Sequence, residues 1–492
     1  MTDMQYKVIV GLEIHVQLNT QSKLFCPCRL EFGAEPNSRT CPVCLGLPGS
    51  LPVINKKAVE YAALVGVALN CQIAQFTKWD RKSYYYPDLP KNYQISQYDL
   101  PLASGGFIEI PISNGKLKKV GITRAHLEED AGKNLHSSAN LTQVDLNRAG
   151  TPLLEIVTDP DMNSPQEVKT LAVELQQIVR YLGVSKADMQ KGHMRFEPNV
   201  NLIVTKAGSQ YKTPITEIKN LNSFRALEKS IDYEIKRQLD DFVRTGRVMK
   251  SGNKSTRGWD DVNETTVLQR EKEEAHDYRY FPDPDLVPLR FTNAKLDEIR
   301  SCLCELPMAK KLRYIREYNL NEYDAGVLTT DRKTAEFYEQ VLTYPKVDPK
   351  RACTVLTQEW MKLANKRRCR VYELGLTPKH LADESRMIDV GDITSTAAES
   401  VITTIVESGD AENKLFEKVA IDKNMLSKSD EGELEKLVDE ALENNPQAVA
   451  DVKSGGKKSK KARGFLMGQV MQKTKGSANP KVVSELLARK LR

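Results

Sequence analysis

The sequence predicts an α+β chain, a mainly antiparallel sheet domain followed by helical ones. Three observations carry this prediction. Short runs of alternating apolar and polar residues dominate up to about position 290, and convincing helical patterns are few there. After the proline-rich stretch YFPDPDLVPL (280–289), strand patterns fade and short helices rich in Lys and Glu take over. The 492 residues also leave room for two to four domains, at roughly 150 residues each.

Composition narrows the class. Hydrophobic residues make up 40% and charged residues 28%, ordinary values for a globular protein. The opening MTDMQYK lacks a basic patch followed by an apolar run, and the longest apolar stretch, Tyr61–Leu69, is too short to cross a bilayer. A cytoplasmic protein without membrane partners is expected, and its nine cysteines are expected as thiols rather than disulfides. Net charge is a mild +6, but it is segregated: Val452–Gly476 holds eight Lys or Arg and no acid, while Asp430–Asp451 holds eight acids and one base. Such a tail suits a nucleic acid or is simply a solvated surface.

The first element is VGLEIHVQL (10–18), which alternates without a break. Leu12, Ile14, Val16 and Leu18 fall on one face of a strand, so Glu13 and His15 lie side by side on the other. Cys26, Cys28, Cys41 and Cys44 follow as C-P-C and C-P-V-C around a short loop. Two close pairs suit a tetrahedral zinc ion with all four positions filled by protein, a structural site; four unrelated buried thiols are the alternative. Asn55 caps a helix running to Leu69.

Residues 78–101 interleave Arg81, Lys82 and Lys91 with Tyr84, Tyr85, Tyr86 and Tyr93. Aromatic faces and cations suit a nucleotide or an RNA end, although tyrosines also simply cover sheets. In GITRAHLEEDAG (121–132), alternation groups Arg124, His126 and Glu128, with Ala125, Leu127 and Glu129 facing the other way. In NRAGTPLLEIVTDPD (147–161), Glu155 shares a face with Leu153 and Val157 and needs a compensating charge. A magnesium ion would provide it, and a histidine ligand would admit manganese or zinc; ordinary ion pairs on an exposed sheet face are the alternative.

Two helices punctuate this domain. One begins at Ser164, with Pro165 at its first position and Glu167 closing a capping box, and ends at Gly183. The other carries Phe224, Leu227, Ile231, Ile235 and Leu239 at helical spacing, a core stripe. In HDYRYFPDPD (276–285), His276 and Arg279 read as catalytic groups or as polar members of a turn. The last helix starts at Asn479-Pro480. No G-x-x-x-x-G-K-[ST], G-x-G-x-x-G or G-x-S-x-G motif is present, so any ATP is held without the usual cradles.

These segments together resemble one family. VGLEIHVQL, FGAEPN, RKSYYYPDLPKNYQISQYD, HLEEDAGK, DLNRAGTPLLEIV, EIKNLNSFRALEKSIDYEIKRQ, TRGWD and KEEAHDYRYFPDPDL are similar to the B subunits of tRNA-dependent Asp/Glu amidotransferases, in family order. ENNPQAVADVKSG and GFLMGQVMQKTKGSANPKVVSELL resemble the family's C-terminal tail. The resemblance implies a cradle-shaped kinase domain with a zinc knuckle (1–292), a helical domain (293–425) and a tRNA-binding tail (426–492). It implies a ligase of three subunits: this one uses ATP to phosphorylate the side-chain carboxylate of misacylated Glu-tRNA(Gln) or Asp-tRNA(Asn). A partner amidase (A) subunit supplies ammonia from glutamine, and a small C subunit wraps both.

By the same resemblance, Glu13, His15, Glu128 and Glu155 are metal ligands at the kinase site, taking Mg2+ or Mn2+. Lys82, Tyr84 and Tyr85 line the nucleotide pocket, Arg195 and Asn199 lie near the reacting carboxylate, and Cys26, Cys28, Cys41 and Cys44 form the zinc knuckle. The chain departs from the family in three places. Glu197 replaces the usual Asp of R-x-D-x-N, residues 395–426 match poorly, and GGKKSKKARG (455–464) adds basic charge to the tail. A zinc-stapled RNA-binding module without chemistry is the competing reading. It explains the cysteines, tyrosines and basic tail but leaves Glu155 without a purpose.

Overall fold

The computed structural model describes residues 4–112, 115–136, 141–250, 253–271, 278–427, 431–454, 457–474 and 478–491. His276 lies outside them, as do residues 455–456 of the basic insert. The chain forms two compact units, Met1–Pro307 and Met308–Arg492.

The first unit is built on a ten-stranded, mostly antiparallel sheet. Its central strand is Gln5–Gln17, paired on one side with Pro152–Thr158 and on the other with Met194–Lys206; Leu117–Glu129 lies beyond Pro152–Thr158. Alternation along these strands separates two faces. Leu12, Ile14, Val16, Leu127, Leu154, Ile156 and Phe196 are buried in one core, while the other face carries the charged residues.

Two amphipathic helices share that core. Pro165–Tyr181 is capped by Ser164, whose side chain accepts from the Glu167 N–H, and Phe224–Thr245 is capped in the same way by Ser223. The first contributes Val168, Leu171 and Leu175, the second Leu227, Ile231 and Ile235. The unit extends past residue 292 because helix Asn293–Ser301 buries Leu296 and Ile299 in the same core, and Lys295 Nζ pairs with Glu60 at 2.9 Å.

The described part of the second unit is helical and contains two separate apolar clusters. One surrounds Tyr314, Tyr338, Trp360 and Phe416 and includes helices Ser395–Glu407 and Phe416–Asp422. The other joins Leu434, Val438, Leu466, Val470 and Val483. Asn479 caps the last helix, as its sequence predicts. None of the described helices is long and apolar enough to cross a membrane.

Candidate active site

Strand register brings the charged residues together. His15 stands opposite Arg195 on one side and Glu155 on the other, and Glu155 stands opposite His126, so four strands offer one rung. The rung above it places Glu128 opposite Leu153 and Gln17; the rung below places Glu13 opposite Glu197 and Val157. Residues two apart on a strand share a face but sit about 7 Å apart. Directly opposed side chains approach to about 5 Å and diagonal neighbours on adjacent strands stay within reach of long side chains, so pairing across strands decides which groups can meet.

That geometry divides the four expected ligands. His15, Glu128 and Glu155 gather with ligand atoms within 4.8 Å of one another, whereas Glu13 joins Glu197 and Glu217 in a second group of the same tightness. Glu13 accepts a hydrogen bond from Asn199 Nδ2 at 2.9 Å, and Lys219 Nζ donates to Glu197 Oε2 at 2.6 Å. The extra methylene of Glu197 is therefore held by a lysine ammonium. Arg195 is turned toward Asp130, Nη2 to Oδ1 3.2 Å.

Electrostatics within the first group are opposed. His15 Nε2 lies 3.4 Å from Glu128 Oε1 and 3.5 Å from Glu155 Oε2. Burial works against the imidazolium, but the Glu155 hydrogen bond and the charges of Glu197, Glu155 and Glu128 outweigh it and raise His15 to about 9. Burial, then the Glu155 charge, pushes Glu128 up to about 7. Burial also disfavours ionised Glu155, yet His126, His15 and Lys82 hold it below the carboxylate range. His126, Nε2 3.6 Å from Glu155, is lowered by burial to about 4. The Nδ1 atoms of both histidines are buried without a hydrogen-bond partner.

Two carboxylate charges within 4.8 Å repel by about 3.5 kcal/mol at an effective dielectric of 20. A divalent cation would reverse the sign of that interaction. Two carboxylate oxygens, one imidazole and room for further oxygens suit magnesium or manganese, so the donor set fits the expected metal.

These residues line one side of a cavity of about 1680 Å3. Its other wall rests on a three-stranded sheet, Phe281–Pro282, Asp80–Ser83 and Tyr93–Ser96, pinned by Arg81 bonding Asp283 and Asp285 at 2.8 Å each. Lys82 projects from that sheet. Burial would lower its pKa, but Tyr280, Glu128 and Glu155 keep it above the ordinary lysine value. Its Nζ sits 4.8 Å from the Tyr278 ring centre and 5.9 Å from that of Tyr84. Tyr98 and Tyr280 stack at 4.2 Å, and Tyr85 is 70% exposed at the rim with Arg279 over its ring.

Sequence reasoning did not nominate His126, Glu217, Lys219, Tyr278 or Tyr280 as site residues. For His126 the signal was present, since alternation groups it with Glu128. The others depend on pairings between strands far apart in sequence.

The four cysteines converge separately, their sulfurs within 4.8 Å of one another. A zinc tetrahedron with 2.3 Å bonds spaces sulfurs about 3.8 Å apart, so the set fits the ion. Cys41 stands at the N-terminal cap of the short helix Pro42–Leu45 and Cys44 lies within it, and the Cys41 N–H donates to Cys44 Sγ at 3.2 Å. Gly46 ends that turn at φ 68°, where a Cβ would meet Lys91 Cγ at 2.4 Å; only glycine suits the position.

Comparison with known proteins agrees with this geometry. The GatB/GatE catalytic domain family matches residues 8–297, and the GatB domain family matches 336–491. The chain is 46% identical over 489 residues to the B subunit of the aspartyl/glutamyl-tRNA(Asn/Gln) amidotransferase of Thermoanaerobacter pseudethanolicus, covering 99% of this chain and 100% of that one. It is 45% identical over 492 residues to the protein of the same name in Carboxydothermus hydrogenoformans, covering 99% of each. With Geotalea daltonii's, identity is again 45% over 492 residues, covering 99% of this chain and 100% of the relative. Matched along nearly its whole length by both domain families and by these relatives, the chain belongs to the GatB family of amidotransferase subunits.

Proposed function

We propose that this chain is the ATP-using subunit of an amidotransferase acting on misacylated tRNA, Glu-tRNA(Gln), Asp-tRNA(Asn) or both. The observation that supports it most is the single cavity that holds Arg195, His15, Glu155, His126 and Glu128 on one sheet face, opposite Lys82 and a tyrosine wall. The side-chain carboxylate of the tRNA-borne residue forms a bond to the γ-phosphorus of ATP as the bond to the ADP oxygen breaks. Ammonia from a partner amidase then attacks the acyl carbon; phosphate leaves with the electron pair, and nitrogen loses a proton to give the amide.

Each residue has a role that its surroundings support. Lys82, kept charged, attracts the phosphates, and Tyr84, Tyr85, Tyr278 and Tyr280 offer faces to the base. Arg195 meets the reacting carboxylate, while Asn199 orients Glu13. His15, Glu128 and Glu155 would hold Mg2+ or Mn2+, which when bound neutralises phosphate charge; Glu13 would approach from the neighbouring group. Zinc at Cys26, Cys28, Cys41 and Cys44 would be structural. Residues 426–492 would hold tRNA away from the reacting end, and the A and C subunits would complete a heterotrimer.

The test uses the assembled complex. ATP consumption should require charged Glu-tRNA or Asp-tRNA, and an acid-labile acyl phosphate should accumulate when ammonia is withheld. Binding of tRNA with no nucleotide turnover would instead support an RNA-holding module without chemistry.

A further inference from the structure

Lys23 is the most unusual lysine in the first unit. It is fully buried, at 0% exposure. Its Nζ lies 3.4 Å from Cys44 Sγ and 3.3 Å from the Leu146 carbonyl, and among the described residues no carboxylate lies within 4 Å. The nearby carboxylate, Glu129, gives its Oε1 to Lys91 Nζ and to the Ile95 N–H at 2.9 Å. A buried ammonium without a counter-charge is strongly disfavoured. Backbone bonds fix it there: the Lys23 N–H donates to the Cys28 carbonyl at 3.0 Å, so the turn that carries Cys26 and Cys28 also sets the lysine against Cys44.

Four thiolates around a divalent ion carry a net charge of −2, which calls for compensation on the buried side, where Cys26 and Cys44 lie. The lysine and the cysteines therefore answer each other's unmet need. We propose that Lys23 is a positioning residue of the four-cysteine centre, its ammonium donating to the Cys44 sulfur and compensating part of the tetrathiolate charge. This rests on the zinc reading of that centre. Outer groups of this kind change metal affinity by about 10- to 100-fold.

The experiment uses the full-length chain and zinc competition against a chelator of known affinity. Lys23→Met should bind zinc at least tenfold more weakly while far-ultraviolet circular dichroism is unchanged, and Lys23→Arg should recover much of the loss. In a Cys44→Ser background, Lys23→Met should add little. Wild-type affinity in Lys23→Met, or a full additive loss in the Cys44→Ser background, overturns the proposal. A readout needing no variant is acylation of the Lys23 amine, followed by mass spectrometry. It should accelerate when the chelator withdraws zinc, and equal rates with and without zinc overturn the idea even if Lys23→Met does not fold. A wild-type chain that binds no zinc would remove the reading of the centre itself; a zinc-binding wild type matched by Lys23→Met would remove only the lysine's part.

Discussion

His15 and Glu155 face each other across adjacent antiparallel strands, with Nε2 3.5 Å from Oε2. The pair joins fold to chemistry, because the register that buries Ile14 and Ile156 on one face also sets these two groups together on the other. Glu155→Gln keeps the shape and removes the charge. In the assembled complex it should lower tRNA-dependent ATP turnover by about 10²-fold or more, with glutamine hydrolysis by the partner persisting. His15, held near 9 by this neighbour, stabilises the fold fully below about 6.5 and loses that contribution as pH rises through 9. The variant should flatten that dependence, measured by urea unfolding between pH 6 and 10.

A protonated imidazole has no lone pair free at either nitrogen, so coordination of a cation must displace a proton. With His15 raised to about 9 and Glu128 to about 7, Mn2+ binding at pH 7.5 should release slightly more than one proton per ion, most of it from His15. Titration calorimetry in two buffers of different ionisation enthalpy measures this directly. Heats independent of buffer would show that His15 is not a ligand.

The cysteine loop is fastened to the segment that leads into the Glu155 strand. Asn37 Oδ1 accepts from the Leu146 N–H at 2.8 Å, Asn147 Oδ1 from the Arg39 N–H at 2.8 Å, and the Glu35 carbonyl from Asn147 Nδ2 at 2.7 Å. Withdrawal of zinc should speed amide exchange at Leu146 by tenfold or more and leave Leu12–Val16 unchanged. Hydrogen exchange with mass spectrometry distinguishes the two segments.

Deleting residues 426–492 should weaken tRNA binding by about tenfold at moderate salt yet change turnover at saturating tRNA little. The binding that remains should also depend less steeply on salt, because fewer lysines contact phosphate. Filter binding at several salt concentrations provides the comparison, and unchanged affinity would mean the tail serves another purpose.

Local features were readable before any coordinates. The unbroken alternation of VGLEIHVQL assigns Glu13 and His15 to one face, and Ser164 with Pro165 marks a helix start that the structure has. Convergence was not readable. His15, His126 and Glu155 meet because three strands pair in a particular register, a long-range choice that no local window encodes. The same limit explains Glu13: periodicity puts it beside His15, but its cross-strand neighbour is Glu197, so it belongs to the second acidic group. Tyr278 and Tyr280 come to Lys82 through pairing of Phe281 with Arg81, across two hundred residues of chain.

Glu384, in the second unit, has a different kind of consequence. It is fully buried on helix Pro378–Val390, and its Oε2 accepts from Trp360 Nε1 at 2.7 Å. Its Oε1 and Glu359 Oε2 have no donor of their own. Glu359 lies on the π-helical turn Leu356–Trp360, with Glu399 adding negative charge and Lys362 and Arg351 opposing it. Burial and the Glu359 charge raise Glu384 well above the carboxylate range, so the folded chain keeps a proton that the unfolded chain releases. The contribution of this group to stability is therefore greatest at acidic pH and falls as pH rises from about 4.5 toward the folded value, by about 1.4 kcal/mol per pH unit. Glu384→Gln retains the acceptor for Trp360 and replaces the titrating proton of Glu384 with a permanent N–H donor. It should leave stability near pH 5 almost unchanged and raise it at pH 8, as read from urea unfolding at the two pH values. A parallel fall in both proteins would assign the pH dependence to other groups.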